Sequence, residues 1–320
     1  MKKSFKQHRP MRKSIYKYPD AKKNIQSFYT NKLKSLDFPY EEIDVPTAYG
    51  RTRVIIAGNE HGKKVVLFHG VHAGAPLTLE TVKVLREQYS LIAIDTIGQA
   101  TMSDETVLNL KDDSFARWAD DVLAELSIEK ADFIGISYGA FILQKLMTYR
   151  PNRVEKCIFV VPSGLANGAF WPSFTKLSVP LIRWNITKKD QDLRKFVSAF
   201  AHPNDTYMFQ FQKAILSGLY MDYRRPSILT QKDVRHFKKP VYLLAAEHDI
   251  FFPADKTIKQ AYKVFENLQE THLLKGGKHI PYGEHITEIR EKIAIWLADE
   301  KVHQEDMTQH FQFTGMIDKE

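Results

Sequence analysis

The chain contains one cysteine, Cys157, set in the apolar run CIFVV. A single thiol forms no internal disulfide, so packing and hydrogen bonds must hold the fold, and a reducing compartment is its natural setting. The cysteine itself reads as a small core residue. No run of about 18 uninterrupted apolar residues occurs, so the sequence offers no membrane-spanning helix. The start, MKKSFKQHRPMRKSIYKYPD, has the positive charge of a secretory signal but lacks the apolar stretch that must follow it. These absences predict a cytoplasmic protein. Internal repeats and low-complexity segments are missing as well.

Acidic residues are scarce in two places. Residues 1–20 hold seven Lys or Arg against one Asp, and residues 165–235 hold eleven against five Asp and no Glu. The net charge of +8 therefore comes from a basic N-terminal tail and one internal segment, and the rest of the chain is net acidic. A short basic tail is ordinarily solvated, so no nucleic-acid partner is expected. The missing glutamates also argue against an aminopeptidase, whose substrate amine would need carboxylates.

What the sequence does contain is alternation. KKVVLFHG (63–70), YSLIAID (89–95), ADFIGIS (131–137), VEKCIFVVPSG (154–164) and KPVYLLAAEHD (239–249) are short apolar runs bounded by polar residues or glycine. They read as buried strands of a mainly parallel sheet. Helical patterns lie between them, as in DSFARWADDVLAEL, where Phe115, Trp118, Val122 and Leu126 recur on one face. Strand and helix in repeated succession predict an α/β fold with helices on both faces of the sheet. The rhythm breaks between about 165 and 237. FWPSFTKL, PLIRW, LRKFVSAFAH and YMFQFQKAILSGLYMDY there predict an inserted helical unit, because a structureless loop of that length is improbable.

At the end of the third of these strands stands GISYG, with Ser137 between Gly135 and Gly139. A turn sharp enough to pass from strand to helix here strains the serine backbone, and side chains two residues to either side would collide, which glycine avoids. The hydroxyl then stands at the carboxyl edge of the sheet, where open α/β folds bind ligands. A nucleophilic hydroxyl needs a base, and the base an orienting acid. Asp249 closes VYLLAAEHD, and His279 follows LLKGG, where Gly276 and Gly277 let the chain turn. The order Ser137, Asp249, His279 suits a Ser–His–Asp triad, although Glu247 and Asp255 lie near enough to compete for the acid role. Negative charge developing on a substrate would sit between the N–H of Tyr138 and one from the loop FHGVHAG, assigned to Val71 beside Gly70. His69 and His72 in that loop have no cysteine or carboxylate beside them, so no metal is expected, and His69 reads as a brace.

HG after one strand, DTIG (95–98) after the next, GISYG, a late Asp and a late His together resemble the α/β-hydrolase superfamily. Within it the chain is similar to bacterial carboxylesterases with a leading helix, an N-terminal hairpin (EEIDVPTAYGRTRVIIAGN) and a helical cap after the sixth strand. The resemblance covers about residues 20–298. It implies an eight-stranded sheet with residues 21–164 and 238–299 as core, 165–237 as cap, and 1–20 and 300–320 as tails. It also implies a serine hydrolase, without cofactor, that cleaves small hydrophobic esters, with Trp171 and Phe174 of the cap lining the acyl pocket. Carbon–carbon bond hydrolysis is the alternative, since a basic cap suits a carboxylate substrate; a noncatalytic binding protein would not need the whole triad. One departure stands out. QATMS follows DTIG where the family has small or glycine-rich residues, which leaves the shape of that loop open.

Overall fold

The computed structural model describes residues 14–298; the predicted C-terminal tail (300–320) and most of the N-terminal tail lie outside them. Eight strands form one sheet: β1 (Tyr40–Thr47), β2 (Gly50–Gly58), β3 (Lys63–Phe68), β4 (Tyr89–Ile94), β5 (Ala131–Ile136), β6 (Val154–Val160), β7 (Val241–Ala246) and β8 (Leu268–Leu274). Their order is β1-β2-β4-β3-β5-β6-β7-β8. The hairpin β1–β2 is antiparallel and joins β4 antiparallel, and every pairing from β4 through β8 is parallel.

The central strands are mostly apolar because both faces are covered, and their charged residues, such as Lys63, Asp132, Glu155 and Lys156, lie toward the strand starts. Phe133 of β5 points into one core layer and Ile134 into the other; Leu243 and Leu244 of β7 divide in the same way. Helices α1 (Pro19–Lys34) and α2 (Gly74–Val82) occupy one side, while α3 (Ser114–Glu125) and α4 (Tyr138–Tyr149) occupy the other. On α3 the predicted face is the buried one: Phe115, Trp118 and Val122 are all enclosed, and Leu126 packs at its edge.

The segment between β6 and β7 is helical. It contains α5 (Phe170–Ser173), a π turn (Phe174–Ser178), α6 (Val179–Thr187), α7 (Asp190–Ser198), α8 (Thr206–Gly218) and the short α9 (Gln231–Val234). Leu193, Val197, Phe209 and Ile215 form a core of their own inside it. The LYMDY stretch, read as helical, instead runs without regular structure after Gly218. Beyond the insertion, α10 (Ala254–Val264) packs on β7 and β8, and α11 (Glu284–Ala298) closes the fold with Trp296 fully buried. Among the described residues, no helix is long and apolar enough to cross a membrane.

Part of the segment read as a solvated N-terminal tail is packed. Tyr16 is buried and bridges Leu219, and the Lys17 and Tyr220 N–H groups donate to Gly218 O and Ile15 O. The reason is the apolar pair Ile15–Tyr16, whose burial against the insertion outweighs the pull of the flanking lysines toward water. Gly218 makes the approach possible, because a Cβ there would come within 2.9 Å of Ala21 and Ile25 on α1. Tyr16→Ala should therefore lower unfolding stability by about 3 kcal/mol, as removal of a core aromatic does. Chemical denaturation measures it, and an unchanged midpoint would return residues 14–18 to the tail.

Candidate active site

The turn from β5 to α4 passes through one residue. Ser137 has φ 51° and ψ −112°, a conformation that L-residues adopt only under strain. Hydrogen bonds hold it there: Ser137 N–H donates to Val160 O, while Ala140 and Ser163 N–H donate to Ser137 O. Both flanking glycines are required. A Cβ on Gly135 would lie 2.7 Å from Ala140 Cα, where strand and helix converge. A Cβ on Gly139 would meet Phe68 O at 2.1 Å, so the second glycine makes room for neighbouring β3 rather than for β5 itself. Gly70 differs, because a Cβ there would make only ordinary contacts, the nearest 3.5 Å from Ser137 Cβ. Its smallness keeps the space beside the serine hydroxyl open.

Ser137 Oγ lies 2.9 Å from His279 Nε2, and His279 Nδ1 lies 2.7 Å from Asp249 Oδ2. Asp249 is thereby distinguished from its neighbours: Glu247 accepts from the Gly276 N–H, and Asp255 lies in the first turn of α10. The other Asp249 oxygen, Oδ1, accepts from the N–H groups of Phe251 and Phe252 at 2.8 and 3.0 Å. These bonds fix the carboxylate plane. The rings of the same two phenylalanines stand edge-on to the imidazole, with centroids 5.0 and 5.3 Å away. IFFP directly after the acidic residue was the available signal for this packing, although nothing in the pattern says which ring it meets.

The histidine loop is pinned on both sides. Gly276, at φ +70°, turns the chain after β8, and the His248 N–H donates to Gly277 O, tying this loop to that of Asp249. From the insertion, Phe200 O accepts from the Ile280 N–H, while Lys278 Nζ donates to Ser198 O and Ala201 O. Phe200 also packs on Phe251.

The loop after β3 is built around two histidines. His69 is fully buried, its Nδ1 2.6 Å from Gly70 O and its Nε2 accepting from the Thr96 N–H, so both ring nitrogens are engaged and it braces the loop. His72 has φ 58°; its N–H donates to Gln99 Oε1, and its Nδ1 accepts from the Ala100 N–H. The Ala73 N–H donates to Gly70 O, and Val71, with its side chain about half exposed, stands at the tip between them. Tyr138, as the first residue of α4, has an N–H without a partner inside the helix.

QATMS is thus the clamp of this loop, and the sequence pattern did not reveal that role. Gln99 and Ala100 grip His72, while Met102 N–H donates to Asp95 Oδ2. Asp95 Oδ1 accepts from the Ala75 N–H at the start of α2. Full burial pushes Asp95 up to about 6 despite those two donors. The DTIG motif marked the position without its purpose.

Trp171 and Phe174 do not line an enclosed pocket. They are 70% and 40% exposed and pack on Phe170 and each other. The inward side of this helical stretch is taken by Leu177, Leu181 and Trp184, which turns residues 171 and 174 outward.

A model of the alpha/beta hydrolase fold family matches residues 63–204. The chain has the alpha/beta hydrolase fold. It is 24% identical over 259 residues to the uncharacterized carboxylesterase nap of Bacillus subtilis, covering 78% of this chain and 84% of that one. It is 23% identical over 289 residues to carboxylesterase YbfK of the same organism, with 84% and 92% covered. Among solved structures, the naproxen esterase of Bacillus subtilis superposes with a TM-score of 0.72 at 21% identity, covering 88% of this chain and 99% of that chain. A meta-cleavage product hydrolase from Pseudomonas fluorescens gives 0.63 at 15% identity, with 80% and 97% covered.

Two outcomes are expected. Gly139→Ala should fail to fold into this turn, leaving protein with a lowered melting temperature and at most about 1% of parent activity, since neither strand backbone nor helix can yield to a 2.1 Å contact. A variant of parent-like stability and activity would contradict the close approach. The second concerns pH. Burial pushes His69 down to about 4, from 6.5 when unfolded. Between those values the unfolded chain binds the proton that the native state refuses, so stability is full above about 6.5 and falls as pH falls toward 4. His72 acts in the same sense, less strongly where partly exposed, while Asp95 opposes between 3.8 and about 6. Melting temperature should therefore drop from pH 7 to pH 5; a constant or rising value would overturn the neutral, buried His69.

Proposed function

We propose that this hydrolase is a serine carboxylesterase that cleaves small hydrophobic esters through an acyl-enzyme. The observation that carries the reading is the unbroken run of hydrogen bonds from Ser137 Oγ through His279 to Asp249 at the carboxyl edge of the sheet. Ser137 Oγ attacks the ester carbonyl carbon while its proton passes to His279 Nε2. Asp249 holds the Nδ1 proton and stabilises the imidazolium. The tetrahedral oxyanion is received by the backbone N–H groups of Val71 and Tyr138, each contributing about 3 kcal/mol to lowering the barrier. Collapse releases the alcohol, which takes the proton from His279. Water, deprotonated by the same histidine, then frees the acid and restores the serine.

Residues 165–237 act as the cap over this site, with residues 21–164 and 238–299 as the core. The ester reading is supported further by the carboxylesterase names of the two relatives. Carbon–carbon bond hydrolysis of a carboxylate substrate has less support. Arg224, the cap cation whose charge is felt at Tyr138, is already held by Asp222, its Nε 2.8 and 2.9 Å from the two carboxylate oxygens. A cytoplasmic setting is supported by the lone, buried Cys157.

Turnover of p-nitrophenyl esters of rising acyl length tests the reaction and its preference. Ser137→Ala should keep the parent melting temperature and lose at least about a thousandfold in kcat/KM, and a fluorophosphonate should label the parent at Ser137 alone. Equal turnover in parent and variant, or labelling elsewhere, would remove Ser137 as nucleophile.

A further inference from the structure

The stretch from α5 through the π turn to α6 is one continuous helical rod with two unlike sides. Leu177, Leu181 and Trp184 face the insertion core. Opposite them Phe170, Trp171, Phe174, Val179, Ile182 and Ile186 are exposed to between 38% and 78%. Six large apolar side chains open to water on one helix exceed the scattered exposure of an ordinary surface.

The π turn puts them on one face. The Val179 N–H donates to Phe174 O, five residues back, so the turn holds one residue more than an α-turn. An uninterrupted α-helix would set the second half about 100° further around the axis. With the extra residue, the spacings 170, 174, 179, 182 and 186 fall in one stripe.

Charge names the occupant. From residue 165 to 189 the chain carries Lys176, Arg183, Lys188 and Lys189 and no Asp or Glu. Arg183 is paired with Asp192, whereas Lys176, Lys188 and Lys189 have no carboxylate within ion-pair distance among the described residues. Lys17 is close enough to Lys188 to feel its charge, and the thirteen residues preceding Ser14 bring six more Lys or Arg with no acidic residue. A second copy seated on this face by two-fold symmetry would set lysines against lysines. An anionic lipid surface offers the opposite sign beside an apolar layer.

We propose that this face docks on an anionic lipid surface, its aromatic and branched side chains entering the headgroup boundary while the lysines pair with lipid phosphates. The Gly168 N–H donates to Phe251 O, so the rod begins beside the loop of Asp249. Docking there would hold the candidate site near amphiphilic esters dissolved in the surface.

The test is cosedimentation with vesicles of phosphatidylcholine alone and with phosphatidylglycerol added, read without turnover and so independently of the esterase reading. Binding is expected only to the anionic vesicles, and to weaken at 0.5 M salt, where the screening length is roughly half its physiological value. Trp118, Trp184 and Trp296 are buried, so a blue shift in emission on binding reports Trp171. The double variant Ile182→Ser, Ile186→Ser should bind at least tenfold more weakly, as should Lys188→Glu with Lys189→Glu, while each keeps parent hydrolysis of a water-soluble short-chain ester. Equal binding to both vesicle types, or to neither, overturns the proposal. So does a dimer in solution that the double isoleucine variant splits without any vesicle binding, which would give the face to a second copy.

Discussion

The rest of the site depends on the backbone of Ser137. Its left-handed φ is the means by which β5 becomes α4 within one residue, and it lifts the hydroxyl out of the sheet edge. The strain persists because the surroundings over-determine it. Three backbone hydrogen bonds grip the residue, and Gly139 brings the start of α4 against the end of β3. That same contact brings the first turn of α4 against the loop that follows β3, so the Ser137 hydroxyl and that loop are set beside each other by one constraint.

His279 is placed by opposite means. It stands on a loop, outside the left-handed backbone region, and neighbours arrest it: the carboxylate of Asp249, two phenylalanine rings, and the backbone of the loop after α7. An imidazole held by the insertion as well as by the core is sensitive to movement of either. The loop after β3 is secured through polar groups: His72 receives the Ala100 N–H from the loop after β4, and Asp95 in that loop receives the Ala75 N–H at the start of α2 and the Met102 N–H of its own loop. Burying the Asp95 carboxyl and the His69 imidazole there costs desolvation, offset by hydrogen bonds that fix the loop after β3.

What the sequence determined by itself was local or periodic. Apolar runs and the faces of α3 follow from alternation; the elbow follows from two glycines around a serine; the order of Ser137, Asp249 and His279 follows from where strands end. Each of these is a property of neighbouring residues, which is why it survives reading in one dimension. The rest needed contacts between residues far apart in the chain. Only the tertiary structure chose Asp249 over Glu247, made QATMS a clamp, packed Tyr16 against Leu219, and turned Trp171 outward. The outward turn shows why: an aromatic residue has the same composition on either side of a helix, and the side it takes depends on which neighbours compete for the core and on one extra residue in a turn.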